Sequence, residues 1–204
     1  MKVAILGGTG PFGRGLATRL VAEEVDVVVG SRDDARAQEA ASELGCRGEA
    51  NEDAAAGADL VILAVNADSA VECARSVSGA LESPLLSVAS ELAFAGGAAR
   101  PGTEGRSLAE RTAEVVDVPV AAGLHSLQAG KLAGEKPDED ALVCGDDEEA
   151  KRLALEVAGL LVGGRAIDAG PLEIARALEG MTAAIVNVNR RYKAHAGFRI
   201  TGLP

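Results

Sequence analysis

The sequence predicts an α/β fold built on a doubly wound parallel sheet. Three observations carry this expectation. Short apolar runs alternate with segments of helical periodicity; the runs are apolar throughout, as strands buried on both faces are; and a glycine-rich turn joins the first run to the first periodic segment.

Residues 2–6 form a run of β-type side chains, followed by glycines and then by a segment in which Leu16, Ala17, Leu20 and Val21 recur at helical spacing. Residues 25–30 are the second strand. Asp33 or Asp34 can cap the helix that runs to about Leu44, and Gly45 ends it. Residues 59–65 read as a buried strand, 67–80 as a helix and 85–88 as the fourth strand, joined by right-handed crossovers. After Ser90 the pattern loosens, and residues 95–105, rich in glycine and small side chains, read as a long loop. Residues 118–122 and 141–144 are further strands. A helix over 146–161 starts with acidic residues that suit its dipole, 165–168 is a last short strand, and 172–191 a long closing helix. The expected division is a Rossmann-type dinucleotide-binding domain over 1–115 and a smaller C-terminal α/β lobe over 116–204 that covers a substrate cleft.

The net charge of −11, with 31 acidic against 20 basic residues, disfavours a nucleic-acid partner. Only five of the basic residues are lysines, and acidic clusters occur at 138–140 and 146–149, a balance that suits a high-salt cytoplasm; an ordinary acidic protein is the competing reading. No apolar run of membrane-spanning length and no secretory leader are visible, so a soluble cytoplasmic protein without membrane contacts is expected. Cys46, Cys73 and Cys144 are scattered and read as small buried hydrophobes. With His125 and His195 far apart, no metal site is expected.

Gly8-Thr9-Gly10-Pro11-Phe12-Gly13 is G-x-G-x-x-G, lying directly between the first strand and the first helix. In that context Gly8 permits a tight turn, Gly10 admits a pyrophosphate and Gly13 lets helix pack on strand, while amides at the helix start face the phosphates. A ligand-free glycine turn is the alternative. An NAD enzyme carries Asp or Glu at the end of the second strand, whereas this strand ends Gly30-Ser31-Arg32, with Arg36 one helical turn further on. A hydroxyl and guanidinium groups suit a 2′-phosphate, so NADP(H) is the expected cofactor, with Thr9 adding a hydroxyl. The competing reading makes Arg32 and Arg36 part of a solvated helix face with Asp33 and Glu39. Gly30 is expected to let the adenosine approach the strand edge. Val65-Asn66-Ala67, at the end of the third strand, is placed beneath the nicotinamide-side ribose, although Asn66 equally suits a helix cap.

Together with residues 7–10 and 30–32, the segments Val143-Cys144-Gly145-Asp146-Asp147 and Asp168-Ala169-Gly170-Pro171-Leu172 resemble the NADPH-dependent coenzyme F420 reductases of archaea and some bacteria. The resemblance covers most of the chain. It implies reversible hydride transfer between NADP(H) and an 8-hydroxy-5-deazaflavin co-substrate, and it matches Thr9, Ser31, Arg32 and Arg36 to a 2′-phosphate pocket. Family members carry proline and tryptophan where this chain has Asn66 and Ala67. His125, within Gly123-Leu124-His125-Ser126, matches a segment near the cleft, where it either binds the deazaflavin or satisfies buried backbone. The terminal segment around Ala196 and Gly197 is similar to one that folds back toward the cofactor.

Hydride transfer between two carriers can proceed without a side-chain acid or base, so no catalytic residue is nominated. Two rivals share the architecture: an NADPH-dependent reductase of imines or ferric complexes, which for an imine needs a proton donor such as His125, His195 or Tyr192, and a non-catalytic NADP-binding redox sensor. Leu178, Met181, Ile185 and Val188 on the closing helix serve either the monomer core or a homodimer face.

Overall fold

Which apolar runs become strands is settled by whether both of their faces can be covered. The computed structural model describes residues 1–102 and 105–203. In chain order its first half holds β1 (Lys2–Leu6), α1 (Pro11–Ala22), β2 (Asp26–Ser31), α2 (Asp34–Leu44), β3 (Arg47–Ala50), α3 (Asn51–Ala55), β4 (Leu60–Leu63), α4 (Ala67–Val77) and β5 (Leu85–Ser87). A hairpin of β6 (Leu92–Ala95) and β7 (Ala98–Pro101) follows, then α5 (Leu108–Ala113), β8 (Val120–Gly123) and α6 (Ala129–Leu132). The chain closes with β9 (Ala141–Gly145), α7 (Glu148–Leu161), β10 (Ala166–Asp168) and α8 (Ala175–Tyr192).

Eight strands form one sheet in the order β10-β9-β8-β5-β4-β1-β2-β3. Along β1, Val3 and Ile5 face a cluster with Leu16 of α1 and Val157 of α7, while Ala4 and Leu6 face one with Ala70 of α4, Leu108 of α5 and Leu178 of α8. Both faces are therefore dry, which is why the strands do not alternate in polarity. Residues 116–204 add β8, β9 and β10 to this same sheet rather than building a second one.

Several expectations are corrected. The sheet is not parallel throughout: β9 runs antiparallel to β8. Between them, α6 docks on α1 instead of crossing the sheet; a Cβ on Gly15 of α1 would lie 3.0 Å from the Ala129 carbonyl. The expected loop after Ser90 contains the β6–β7 hairpin, turning on Gly96 and Gly97 with φ of 58° and 78°. Two consecutive left-handed residues are what a two-residue hairpin turn requires. Thr103 and Glu104 of that expected loop lie outside the described residues. The edge strand β3, RGEA, has almost no apolar signal and is held by pairing with β2. The short helix α5 begins with a capping box made by Ser107 and Glu110.

The acidic cluster at 138–140 is only partly a solvated surface: Asp138 is exposed, but its two neighbours are not. Glu139 and Asp140 are buried, at 1% and 0% exposure. Asp140 accepts hydrogen bonds from the Arg165 amide, Arg165 Nη2 and the Ile200 amide, each at 2.9 Å, and Glu139 accepts from the Phe198 amide at 3.2 Å and pairs with Lys131. These two carboxylates pin the C-terminal segment. Of the cysteines, Cys144 is buried, whereas Cys46 and Cys73 are only partly so. No helix among the described residues is long and apolar enough to cross a membrane.

Candidate functional site

The glycine turn after β1 assembles the first part of the site. Gly7, not Gly8, takes the left-handed conformation, with φ of 79°. Gly8 is needed for clearance instead: a Cβ there would lie 2.8 Å from Val29 Cγ1 and 2.9 Å from the Ile5 carbonyl. The amides of Gly7 and Gly8 both donate to the Gly30 carbonyl at 3.1 Å, which ties the turn to the end of β2. A Cβ on Gly13 would come within 2.5 Å of the Gly7 carbonyl, so α1 packs directly on the turn. Gly10 differs, since its Cβ would meet only the Gly7 carbonyl at 3.3 Å, on the open side. With Pro11 at its first position, α1 starts without a side-chain cap, so the first-turn amides of Phe12 and Gly13 are available to an anion.

At the end of β2, Ser31 is buried and its Oγ accepts from the Asp33 amide at 3.3 Å. Asp33 caps α2 by accepting from the Arg36 amide. Arg32 and Arg36 are exposed, and among the described residues neither has a carboxylate within 4.0 Å. Their exposure agrees with a solvated helix face as well as with an open anion site. Gly30 does not serve an approaching nucleoside: a Cβ there would strike Asn51 Oδ1 at 2.9 Å and Leu6 Cδ2 at 3.0 Å, so its space is used by the protein itself.

Two adjoining clefts run along the carboxyl edge of the sheet. One, of about 340 Å³, is bordered by Thr9, Ser31, Arg32, Arg36, Asn51 and Cys73. The other, of about 360 Å³, is bordered by Pro11, Phe12, Ala67, Val88, Ala89, Ser90 and Ala129. Gly10, Ala64, Val65 and Asn66 line both. Asn66 stands at the N-cap of α4 but makes no side-chain capping bond, so its amide stays free toward both clefts. Thus the glycine turn, the Ser31–Arg36 stretch and Val65-Asn66-Ala67 converge on one groove. Among the described residues, none that lines the second cleft carries an ionisable side chain.

His125 and Ala196 border neither cleft. His125 is buried behind Ala89, and burial lowers its pKa to about 4, with the nearby Ala89 carbonyl opposing only partly. Neither ring nitrogen has a well-formed hydrogen bond among the described residues beyond this weak approach to the Ala89 carbonyl, so at neutral pH this is a neutral imidazole. Its carbonyl accepts from Thr182 Oγ1 at 2.8 Å, and with that hydroxyl hydrogen committed, Ser90 Oγ donates to Thr182 at 2.8 Å. A residue of the second cleft is thereby fixed by α8. Ala196 has both backbone groups engaged, its amide with Asn189 Oδ1 at 2.6 Å and its carbonyl with Gln128 Nε2 at 2.8 Å. Gln128 precedes Ala129 of the cleft wall, so the terminal segment docks beside the groove.

Sequence reasoning did not single out Asn51, Ser69, Cys73, Ser90, Ala129 or Thr182. None belongs to a local motif; Ser69 and Cys73 share α4, and the others each arrive from a different part of the chain. A separate depression of about 640 Å³ lies at the amino ends of β4 and β5, where Asp59, Glu82, Glu149 and Glu156 outnumber Arg152. It would repel phosphates. The groove at the carboxyl edge, by contrast, fits a 2′-phosphorylated dinucleotide: a glycine cradle, an uncapped helix start and two unpaired guanidinium groups.

Residues 2–90 match the family model described as NADP oxidoreductase, coenzyme F420-dependent. The chain is 36% identical to an F420-dependent NADP reductase of Methanothermobacter thermautotrophicus, over all of this chain and 96% of the relative. It is 35% identical to one of Methanocaldococcus jannaschii, over 100% of this chain and 99% of that protein. Among solved structures, a candidate F420-dependent NADP reductase from Arthrobacter sp. FB24 superposes with a TM-score of 0.81 at 26% identity, covering 99% of this chain and 100% of that one. An imine reductase from Bacillus cereus shares the fold, with a TM-score of 0.62 at 19% identity over 94% of this chain and 60% of its own.

Proposed function

We propose the following roles on the premise that the chain belongs to the coenzyme F420-dependent NADP oxidoreductase family: it is an oxidoreductase that transfers hydride between NADP(H) and coenzyme F420, with the 340 Å³ cleft holding the 2′-phosphorylated end of the dinucleotide and the 360 Å³ cleft the reacting end. The observation that carries the placement is the end of β2, where a buried serine and two unpaired arginines replace the carboxylate that would select NAD. The nicotinamide and deazaflavin supply the redox chemistry when bound.

The chain's residues bind, orient and exclude water. Amides of Phe12 and Gly13 face the diphosphate, and Thr9, Ser31, Arg32 and Arg36 receive the 2′-phosphate. Val65, Asn66 and Ala67 form the wall under the reacting half. The second cleft is lined mainly by apolar side chains and holds no acid or base, as suits a transfer that moves no proton through the protein. The same observation weighs against imine reduction, because His195 is held by Gln128, Tyr192 is 70% exposed on the surface and His125 sits behind Ala89. Residues 1–115 act as the dinucleotide-binding part and 116–204 supply the cover of the groove. His125 and the terminal segment around Ala196 support the deazaflavin side. We also propose a cytoplasmic protein and a homodimer; of Leu178, Met181, Ile185 and Val188, the first two pack into the monomer core, which leaves Ile185 and Val188 for such a face.

The test follows loss of the deazaflavin absorbance band under anaerobic conditions in high potassium chloride, with NADPH or NADH as donor. Rapid bleaching by NADPH and slow bleaching by NADH is expected. In Arg32→Glu, NADPH loses about 10- to 100-fold in affinity while NADH changes little, since a charge-assisted bond is worth about 1.5–3 kcal/mol. Equal losses for both would sink the 2′-phosphate assignment.

A further inference from the structure

We infer that Asn51 reads the purine base of the dinucleotide, its Oδ1 accepting a hydrogen from the 6-amino group. The inference rests on the dinucleotide reading above and extends it to a residue outside the glycine motif and the Ser31–Arg36 stretch.

Strand order supplies the first part of the case. Along the carboxyl edge β4, β1, β2 and β3 are consecutive, so Asn66, the Gly7–Gly10 turn, Ser31 with Arg32, and Asn51 stand in a row. A dinucleotide whose diphosphate meets the turn and whose 2′-phosphate meets Ser31 and Arg32 carries its base outward, toward β3. Asn51 is the residue that directly follows β3, and it borders the same cleft as Arg32, Ser69 and Cys73.

Its chemistry supplies the second part. Asn51 is 8% exposed, and its Nδ2 donates to Cys73 Sγ at 3.7 Å, which orients the amide. Oδ1 is buried with no donor among the described residues. Gly30 leaves the space it occupies, since a Cβ there would lie 2.9 Å from Oδ1. A buried carbonyl oxygen without a partner is destabilising, so an asparagine at this position is explained by a donor that comes with the ligand. Among the groups of the nucleoside, the 6-amino group is the donor that lies on the base and away from the ribose and its phosphate.

Isothermal titration calorimetry on the purified protein distinguishes NADPH from its 6-deamino (purine) analogue, in which a hydrogen replaces the amine. The wild-type protein is expected to bind NADPH about tenfold more tightly, the equivalent of one neutral hydrogen bond to an otherwise empty buried acceptor. Asn51→Ala brings the two ligands to equal affinity, and Asn51→Asp, which keeps an acceptor, restores the preference even where both affinities fall. Thermal melts establish that each variant is folded. Equal binding of the two ligands by the wild type, or a tenfold preference that survives in Asn51→Ala, overturns the assignment while leaving the dinucleotide site in place. Absence of NADPH binding by the wild type brings down the dinucleotide reading as well.

Discussion

Replacing Asp140 with asparagine tests whether the C-terminal segment is held by buried charge. Its Oδ1 accepts from the Arg165 amide and its Oδ2 from Arg165 Nη2 and the Ile200 amide, all at 2.9 Å. The Arg165 guanidinium also reaches the Ile200 carbonyl. Asparagine has the same shape but a single acceptor oxygen, so one or two of the three bonds are lost and an N–H meets an N–H. Each bond to a charged group is worth about 1.5–3 kcal/mol. The carboxylate is covered but lies shallow, under an arginine whose side chain is 40% exposed, and solvent relaxation there reduces the loss to about 2–3 kcal/mol. For a chain of this size that corresponds to a fall in Tm of about 5–10 °C. The Arg165 bonds hold the Asp140 carboxyl well below the usual carboxylate range. A depressed pKa contributes stability above the unfolded value of 3.8 that is lost as pH falls below it. The gap between wild type and variant is therefore flat from pH 8 to pH 5 and closes in stronger acid. Calorimetric melts across that range measure it, and trypsin cleavage after exposed Arg199 reports release of the segment. A Tm change under about 2 °C, or a gap that closes already near pH 6, would refute the reasoning.

Two further outcomes concern the turn and a second buried acid. Gly13→Ala forces a Cβ within 2.5 Å of the Gly7 carbonyl and 2.7 Å of Gly8 Cα, so it lowers both stability, by about 1–3 kcal/mol, and NADPH affinity. Gly10→Ala meets only the Gly7 carbonyl, at 3.3 Å, a tight contact relieved by a small shift, so it should lose much less Tm than Gly13→Ala while losing NADPH affinity at least tenfold; unchanged affinity would show that the diphosphate does not pass over Gly10. Glu179, fully buried on α8 with Oε1 accepting from the Leu108 amide at 2.6 Å, has its pKa pushed up to about 7, chiefly by burial. A raised pKa gives stability that is full below the unfolded value of 4.5 and lost as pH rises through about 7. His125, lowered to about 4, has the opposite slope between pH 4 and 6.5 and offsets it. Glu179→Gln removes one slope, so stability should rise with pH between about 4.5 and 6.5 in the variant where the wild type is nearly flat; parallel Tm curves would contradict this.

What was legible in the sequence follows from how far apart the interacting residues lie. Strands covered on both faces announce themselves in five or six consecutive side chains, and the turn with Gly8, Gly10 and Gly13 does so because its close packing is made by adjacent backbone groups, although Gly7 and not Gly8 takes the left-handed conformation. β3 carries no such signal: its four residues are strand because β2 is beside them. The Gly96-Gly97 hairpin did carry one, a pair of residues able to take positive φ, and was read as loop only because the flanking residues are small and weakly apolar. Asp138-Glu139-Asp140 shows the limit most sharply. A run of acids is ordinarily a solvated surface, and what permits Asp140 to be buried is a set of donors 25 and 60 positions away. The groove divides along the same line. Its phosphate half is written in consecutive residues, whereas its reacting half combines Phe12, Asn66, Ser90 and Ala129, with Ser90 set by Thr182, 92 positions distant. Discrimination between second substrates therefore rests on side chains that no single segment displays.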